Sequence, residues 1–190
     1  MQLTFDLVVR LPPGDRSLAG TPQQGRDLMF AELAGVDLTE ADFYWALFHS
    51  AILEGAVMTR CDLRGAHLNE ANLRDADLSG AKCGLDNLGG PTLFIKADLS
   101  GADLRNANIG GADFTGALLI GADLSGARAI SPLPDRPTRF HGANLTDARL
   151  RRAQLAGAVY DYNTVFPRGF KPEAAGMVAS GGKPRKPRRS

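Results

Sequence analysis

Bulky apolar residues return at every fifth position along most of this chain, most of them with a small residue two places before. The run GADLR, NANIG, GADFT, GALLI, GADLS, starting at Gly101, shows the pattern in its plainest form. In one unbroken register the bulky position falls at Leu28, Leu33, Leu38, Phe43 and onward to Leu78, Cys83 and Leu88. A second register runs from Phe94 to Ala129, and a third from Phe140 to Tyr160. Of these 26 positions 21 are Leu or Phe, and in 20 the residue two before is Ala. A period of five fits neither the 3.6 of a helix nor the 2 of a strand, and on either element the apolar residues would smear around every face. The backbone therefore turns a corner once per repeat, with the bulky residue and its small partner inward and the intervening Asp, Asn, Ser, Arg and Gly in water. This is a solenoid pattern.

The register breaks twice. Leu88 to Phe94 is six residues, with Gly89, Gly90 and Pro91 at the fault, which predicts a bulge near 89–91. Ala129 to Phe140 is eleven, and the proline-rich SPLPDRPTR between them predicts a loop at 130–139 projecting from a corner. Either break reads as a tolerated insertion or as a contact loop on a rigid support. The outward positions Phe30, Tyr44, Trp45, Leu47, Ile52 and Val57 are apolar, so something covers them or they form a partner surface. The alternating LTFDLVV near the N-terminus is a candidate cover, with Pro12, Pro13 and Gly14 as the turn leading inward. The expected organisation is an N-terminal capping segment at 1–25, the repeats at 26–162, a C-terminal cap at 163–179 and a basic, disordered tail at 180–190.

Charge sharpens this division. The net charge is +1, but 26–162 hold 18 acidic against 13 basic residues and 163–190 hold one against seven. No apolar run of about 18 residues exists, which argues against a membrane-spanning helix. The first ten residues lack the basic start and small-residue cleavage site of a secretory leader, which points to the cytoplasm. Cys61 and Cys83 fall at inward positions and read as buried small hydrophobes. His49, His67 and His141 lack the companions a metal site needs. Ser79, Ser100 and Ser125 follow the bulky position with no base to activate them. Neither catalysis, cofactor nor small-molecule substrate is expected.

The A(D/N)LxG repeats through Ala158 resemble the pentapeptide-repeat family. That resemblance implies an all-β fold, a right-handed quadrilateral β-helix with four repeats per coil. On it, 26 repeats make about six to seven coils, a rod roughly 30 Å long at about 4.8 Å per coil. The string AVYDYNTVFPRGFKPEAAGM is similar to the family's terminal element, with Phe166 and Phe170 as plugs and Pro172–Glu173 opening a short helix. It lacks the long amphipathic C-terminal helix by which several quinolone-resistance members dimerise, so monomer and dimer stay open. Members that protect type II topoisomerases are thought to mimic DNA, which makes surface aspartates the candidate partner contacts. A twenty-residue coil would put Asp37, Asp77 and Asp98 on one face and Asp42, Asp62, Asp103 and Asp123 on the next. Val57, Leu118, Lys82 and Arg149 interrupt them. Pro132, Pro134, Asp135 and Arg136 on the 130–139 loop complete the candidate set. The implied partner is DNA gyrase or topoisomerase IV, the alternative is a structural or assembly scaffold for an unrelated protein, and the tail reads as solvated or as a contact for an anionic surface.

Overall fold

The computed structural model describes residues 17–181. Their backbone is a ladder of single-residue parallel bridges, each joining a residue to its counterpart one coil on, twenty residues away as in Asp37 to Val57 and Val57 to Asp77, or twenty-six where an insertion intervenes, as in Asp77 to Asp103. Four columns result. The Ser17 column continues through Asp37, Val57, Asp77, Asp103, Asp123 and Arg149. The Pro22 column holds Asp42, Asp62, Lys82, Asn108, Arg128 and Gln154. The Asp27 column holds Leu47, His67, Leu93, Asp113, Arg139 and Val159, and the Glu32 column Ile52, Asn72, Asp98, Leu118, Asn144 and Val165. No helix among the described residues is long and apolar enough to cross a membrane.

Each corner is built the same way. The Ala41 N–H donates to the Leu38 C=O at 3.0 Å, and Glu40 between them has φ 57, the left-handed third residue of a type II turn. Each side is then tied to the next coil by two bonds, as when Leu38 N–H donates to Val57 C=O at 2.7 Å and Val57 N–H to Val36 C=O at 3.0 Å. With strand and turn in a five-residue cycle, the bulky residues and the alanines two before them all point to the axis, and Leu53, Leu73, Leu104 and Leu124 are fully buried. Below the Asp27 column, Phe94, Phe114 and Phe140 stack with centroids 4.8 and 5.3 Å apart, the spacing of the coils themselves.

Three sequence expectations change. The ladder already contains Ser17 and Pro22, so the coil begins before residue 26. Nothing at Leu18 or Gln23 resembles an A-x-L repeat, which hid these two sides. Leu88 is not inward: it is 76 % exposed, and the ladder passes from Lys82 to Leu93 with no side at 87. The break there is a six-residue insertion within the single side-to-side step from Cys83 to Phe94, not a one-residue bulge. Leu88 sits five after Cys83 by coincidence, and Thr92 takes the small inward position. The second break, Ala129 to Phe140, is an insertion of the same length.

At the C-terminal end β1 (Val159–Tyr160) pairs in parallel with β2 (Val178–Ala179), adding one rung to the Asp27 column. Between them Phe166 packs edge-on to Tyr160 and stacks on Phe170, a short 3-10 helix spans Glu173–Ala175, and Met177 is buried. The Tyr160 hydroxyl ties this segment down by donating to Glu173 Oε1 at 2.6 Å. The LTFDLVV strand, the Pro12–Gly14 turn and the tail beyond 181 lie outside the described residues. The register has a direct test: Leu104→Ala should cost about 2–5 kcal/mol in urea unfolding, whereas Leu88→Ala should stay within about 0.5 kcal/mol of the parent.

Candidate functional site

Aspartate before the bulky position does local work first. Asp37 Oδ1 accepts from the Thr39 N–H at 3.0 Å, and Asp77 and Asp98 accept from Ser79 and Ser100 at 2.9 Å. The same bond recurs at Asp42, Asp62, Asp103 and Asp123. Each closes the turn that follows, as Asx residues do. Four of these seven also carry a cation: Asp62 with Arg64 (2.6 Å) and Lys82 (3.5 Å), Asp98 with Arg74 (3.2 Å), Asp103 with Arg105 (2.5 Å), Asp123 with Arg149 (3.6 Å). Asp37, Asp42 and Asp77 have no salt bridge among the described residues, though Arg64 and Arg105 still act on Asp42 and Asp77 from farther off.

The expected faces are rearranged. Asp37, Asp77, Asp103 and Asp123 share the Ser17 column, Asp42 and Asp62 share the Pro22 column, and Asp98 stands in the Glu32 column. The six-residue insertion before Phe94 consumes one expected side, so every aspartate beyond it moves round by a corner. The result is one mixed column of four aspartates broken by Val57 and ended by Arg149, rather than two acidic faces.

The insertions form the more unusual surface. Both leave from the corner between the Pro22 and Asp27 columns, one after Cys83 and the other after Ala129. Each returns through Pro-Thr-x-Phe, at 91–94 and 137–140, with the threonine fully buried. Thr92 Oγ1 lies 2.8 Å from the Leu63 C=O and 3.0 Å from the Gly84 C=O. Thr138 Oγ1 lies 3.0 and 2.7 Å from the Ile109 and Ala129 carbonyls and accepts from the Gly111 N–H at 2.8 Å. The hydroxyl closes the mouth of each loop with a hydrogen bond where alanine would leave a buried carbonyl short of a partner. The intervening coil has Gly110–Gly111 at this corner, and a side chain at 111 would run into Leu85 of the first loop.

The two loops are braced to the rod and to each other. Trp45 Nε1 donates to Asp86 Oδ2 at 2.5 Å, and the Asn87 N–H donates to the Tyr44 hydroxyl at 3.1 Å. Trp45 stacks on Tyr44, which lies under the Arg64 guanidinium, and Trp45 fills the space above Gly65 that any side chain there would occupy. Arg136 of the second loop donates to the Gly89 C=O of the first, with Leu133 packed beside it. Ile130 and Leu133 then wall an open groove of about 440 Å³ whose far side is Val159 and Val178. One corner thus carries a continuous ridge from Trp45 to Val178, with Leu88 (76 %), Ile130 (50 %) and Val178 (52 %) exposed along it. Pro132, Pro134, Asp135 and Arg136 belong to this ridge. Tyr44 and Trp45, singled out as outward apolar positions, are partly covered here by the first loop, and Asp86, which Trp45 binds, was missed by sequence reading. The available signal was the identical eleven-residue spacing before two Pro-Thr-x-Phe strings.

Partial burial opposes ionisation at Asp86, but the Trp45 indole and the Gly90 and Leu88 N–H groups outweigh it and hold the carboxyl below its usual 3.8. The Thr39 backbone and hydroxyl do the same at Asp37. At Asp62, burial is outweighed by Arg64. Burial raises both thiols, Cys61 to about 12, so they stay protonated and unreactive at neutral pH. Among the described residues no group of three or more His, Cys, Asp or Glu is placed to hold a metal ion.

Thr138→Val should destabilise the chain by about 1–3 kcal/mol in urea unfolding, since it strips a buried hydroxyl from two carbonyls and one N–H. Because the folded carboxyl pKa at Asp86 lies below the unfolded value, its contribution is present above about pH 4 and is lost as pH falls through the lowered pKa. The fluorescence of Trp45, the chain's single tryptophan, should therefore shift on acidification before global unfolding, and Asp86→Ala should show the shifted spectrum already at pH 7.

The pentapeptide-repeat family model matches the chain in eight copies over residues 27–65, 56–84, 97–129 and 138–159. The matched segments break off at 84 and 129, where the two loops leave the coil. No curated protein matches the sequence. Similar solved structures include a pentapeptide repeat protein from Nostoc Pcc 7120, 32 % identical, covering 65 % of this chain and 84 % of that one with a TM-score of 0.23. HetL, a pentapeptide repeat protein involved in heterocyst differentiation regulation from the cyanobacterium Nostoc sp. strain PCC 7120, is 26 % identical over 88 % and 90 % of the two chains, TM-score 0.25. QnrB1, a plasmid-mediated fluoroquinolone resistance protein, is 18 % identical over 86 % and 93 %, TM-score 0.39. With the repeat motif matched over more than half its length and its coils bridged at twenty-residue intervals, this chain belongs to the pentapeptide-repeat family.

Proposed function

We propose that the chain is a non-catalytic, protein-binding rod of the cytoplasm: a right-handed quadrilateral β-helix of about seven coils that meets its partner along the braced corner. The observation that carries this reading is the bracing itself, because Trp45 and Tyr44 hold the first loop, Arg136 of the second loop grips the first, and two threonines close both loop mouths. Insertions under no constraint have no need of such ties, whereas a recognition surface gains affinity when its loops are ordered before binding. The exposed apolar steps along the ridge are of the kind that proteins bury on association.

The most specific version is a protector or modulator of a type II topoisomerase, DNA gyrase or topoisomerase IV, conferring resistance to a drug directed at it. DNA mimicry rests on the aspartates, and what supports it is Asp37, Asp77 and Asp42, which form no salt bridge among the described residues. The arginine-paired Asp62, Asp98, Asp103 and Asp123 present a weaker field.

A supercoiling assay with and without a fluoroquinolone, alongside direct binding to gyrase, separates these ideas. Deleting Pro132–Pro137 with Ser131→Gly restores the five-residue step from Ala129 to Phe140, so the circular-dichroism spectrum should be retained while protection falls at least roughly tenfold, the loss expected when a contact loop is removed. Asp37→Asn, Asp42→Asn and Asp77→Asn together keep the turn-closing oxygen and remove the charge; loss of protection in this variant alone would place recognition on these aspartates instead. A wild-type chain that neither protects nor inhibits gyrase at micromolar concentration leaves the alternative, a scaffold for an unrelated protein.

A further inference from the structure

Charge is unevenly spread along the rod. Residues 17–100 hold 12 acidic and 6 basic side chains, whereas 101–181 hold 7 acidic and 9 basic, so the sign reverses toward the C-terminal end. The reversal is sharpest around one corner, between the Ser17 and Pro22 columns. On the first face the aspartates give way to Arg149, and on the second Asp42 and Asp62 give way to Lys82 and Arg128. At the corner itself Arg151 and Arg152 stand below Ser125 and Gly126, with the Gly126 N–H donating to the Arg151 C=O at 2.9 Å. Arg105 occupies the same corner two coils earlier.

Arginines elsewhere on the coil are neutralised by a neighbour: Arg60 by Glu40, Arg64 by Asp62, Arg74 by Asp98 and Arg139 by Asp113. At this corner Asp103 holds Arg105 and Asp123 holds Arg149. Arg128, Arg151 and Arg152 form no salt bridge among the described residues. The neighbours of Arg128 in its column, Asn108 and Gln154, are uncharged. Arg152 keeps φ at 58 in the position that Gly80 and Gly126 fill on earlier coils, a strain that no ion pair offsets here. Asp147 stands one corner back. Five exposed guanidinium groups therefore meet two carboxylates, leaving a surplus of three positive charges.

The surroundings say what kind of anion this surplus suits. None of the exposed large apolar residues falls between 146 and 156, so nothing there would enter a bilayer. Guanidinium forks, with the Gln154 amide beside them, donate in the pairs that phosphate oxygens accept. From Arg105 to Arg151 is two coils, about 10 Å, over which each strand of a duplex carries about three phosphates. The acidic half of the rod repels those phosphates and confines the contact to the last coils.

We propose that Arg128, Arg151 and Arg152 form a contact for the phosphate backbone of duplex nucleic acid, one corner away from the braced ridge and independent of what the ridge binds. Fluorescence anisotropy of a short labelled DNA duplex of mixed sequence, titrated with the full chain over a range of sodium chloride, tests it. Arg128→Gln/Arg151→Gln/Arg152→Gln should weaken binding at least roughly tenfold and flatten the slope of log K against log salt by about three. Arg60→Gln/Arg74→Gln/Lys82→Gln removes as much charge from side chains that have carboxylate partners, and should bind as the parent does. Both variants keep the parent's residues beyond 181, so their difference reads the corner alone. A parent chain that does not bind the duplex overturns the proposal, as does a corner variant that binds like the parent or an equal loss in both variants. Binding of phosphatidylserine vesicles but not of the duplex, lost in the corner variant, also overturns it in favour of a lipid surface. If circular dichroism shows the corner variant misfolded, Arg151→Gln alone should flatten the slope by about one, and an unchanged slope overturns the proposal.

Discussion

The parallel bridge between a residue and its counterpart one coil on constrains everything else in this molecule. It is made of two main-chain hydrogen bonds per side, so it asks nothing of the side chain at the bridged position, and Asp, Val, Lys, Asn, Leu and Arg all occupy it. What it does demand is that every coil return to the same four corners. A corner is a two-residue turn with its second residue at positive φ, which glycine fills at Gly101 and Gly121 and Glu40 or Asp147 fill at a cost in strain. The inward side chains then have no freedom of position, and a leucine or phenylalanine fits the axis with a small or compact residue, most often alanine, two places earlier.

The same constraint explains how insertions are accepted. Extra residues can leave the coil only at a corner, and the chain must re-enter in register, so both loops are of one length and both return through a threonine whose hydroxyl closes the mouth. Stacking on one edge follows from the ladder: two loops leaving the same corner two coils apart meet across the intervening glycines. A one-dimensional repeat thereby acquires a surface whose parts are distant in sequence, with Trp45, Asp86, Arg136 and Val178 along one line.

The aspartates show how a consensus residue misleads when read as surface charge. Each accepts a hydrogen bond from its own turn, and several are matched by an arginine or lysine one coil away or two residues on. Their frequency reflects the geometry of the turn before it reflects any partner. The field that survives is small and lies on the Ser17 and Pro22 columns, whereas the apolar relief lies at the corner between the Pro22 and Asp27 columns.

Much of the fold was legible without coordinates because the five-residue period is enforced by backbone bonding at every step, so leucine and alanine record it directly. The inward set from Leu28 to Cys83 and from Phe94 to Tyr160 followed from counting. Register across an insertion was not legible, since Leu88 satisfies the count as well as a buried leucine does, and only the bridge from His67 to Leu93 decides that it lies outside. With that one side removed, Asp98, Asp103 and Asp123 move to different columns. Nor does sequence show that Trp45 reaches Asp86 or Arg136 reaches Gly89, contacts 41 and 47 residues apart. Local chemistry fixed the coil; the partnerships along its edge depend on which corners coincide after several turns, a sum over the whole winding that no single repeat contains.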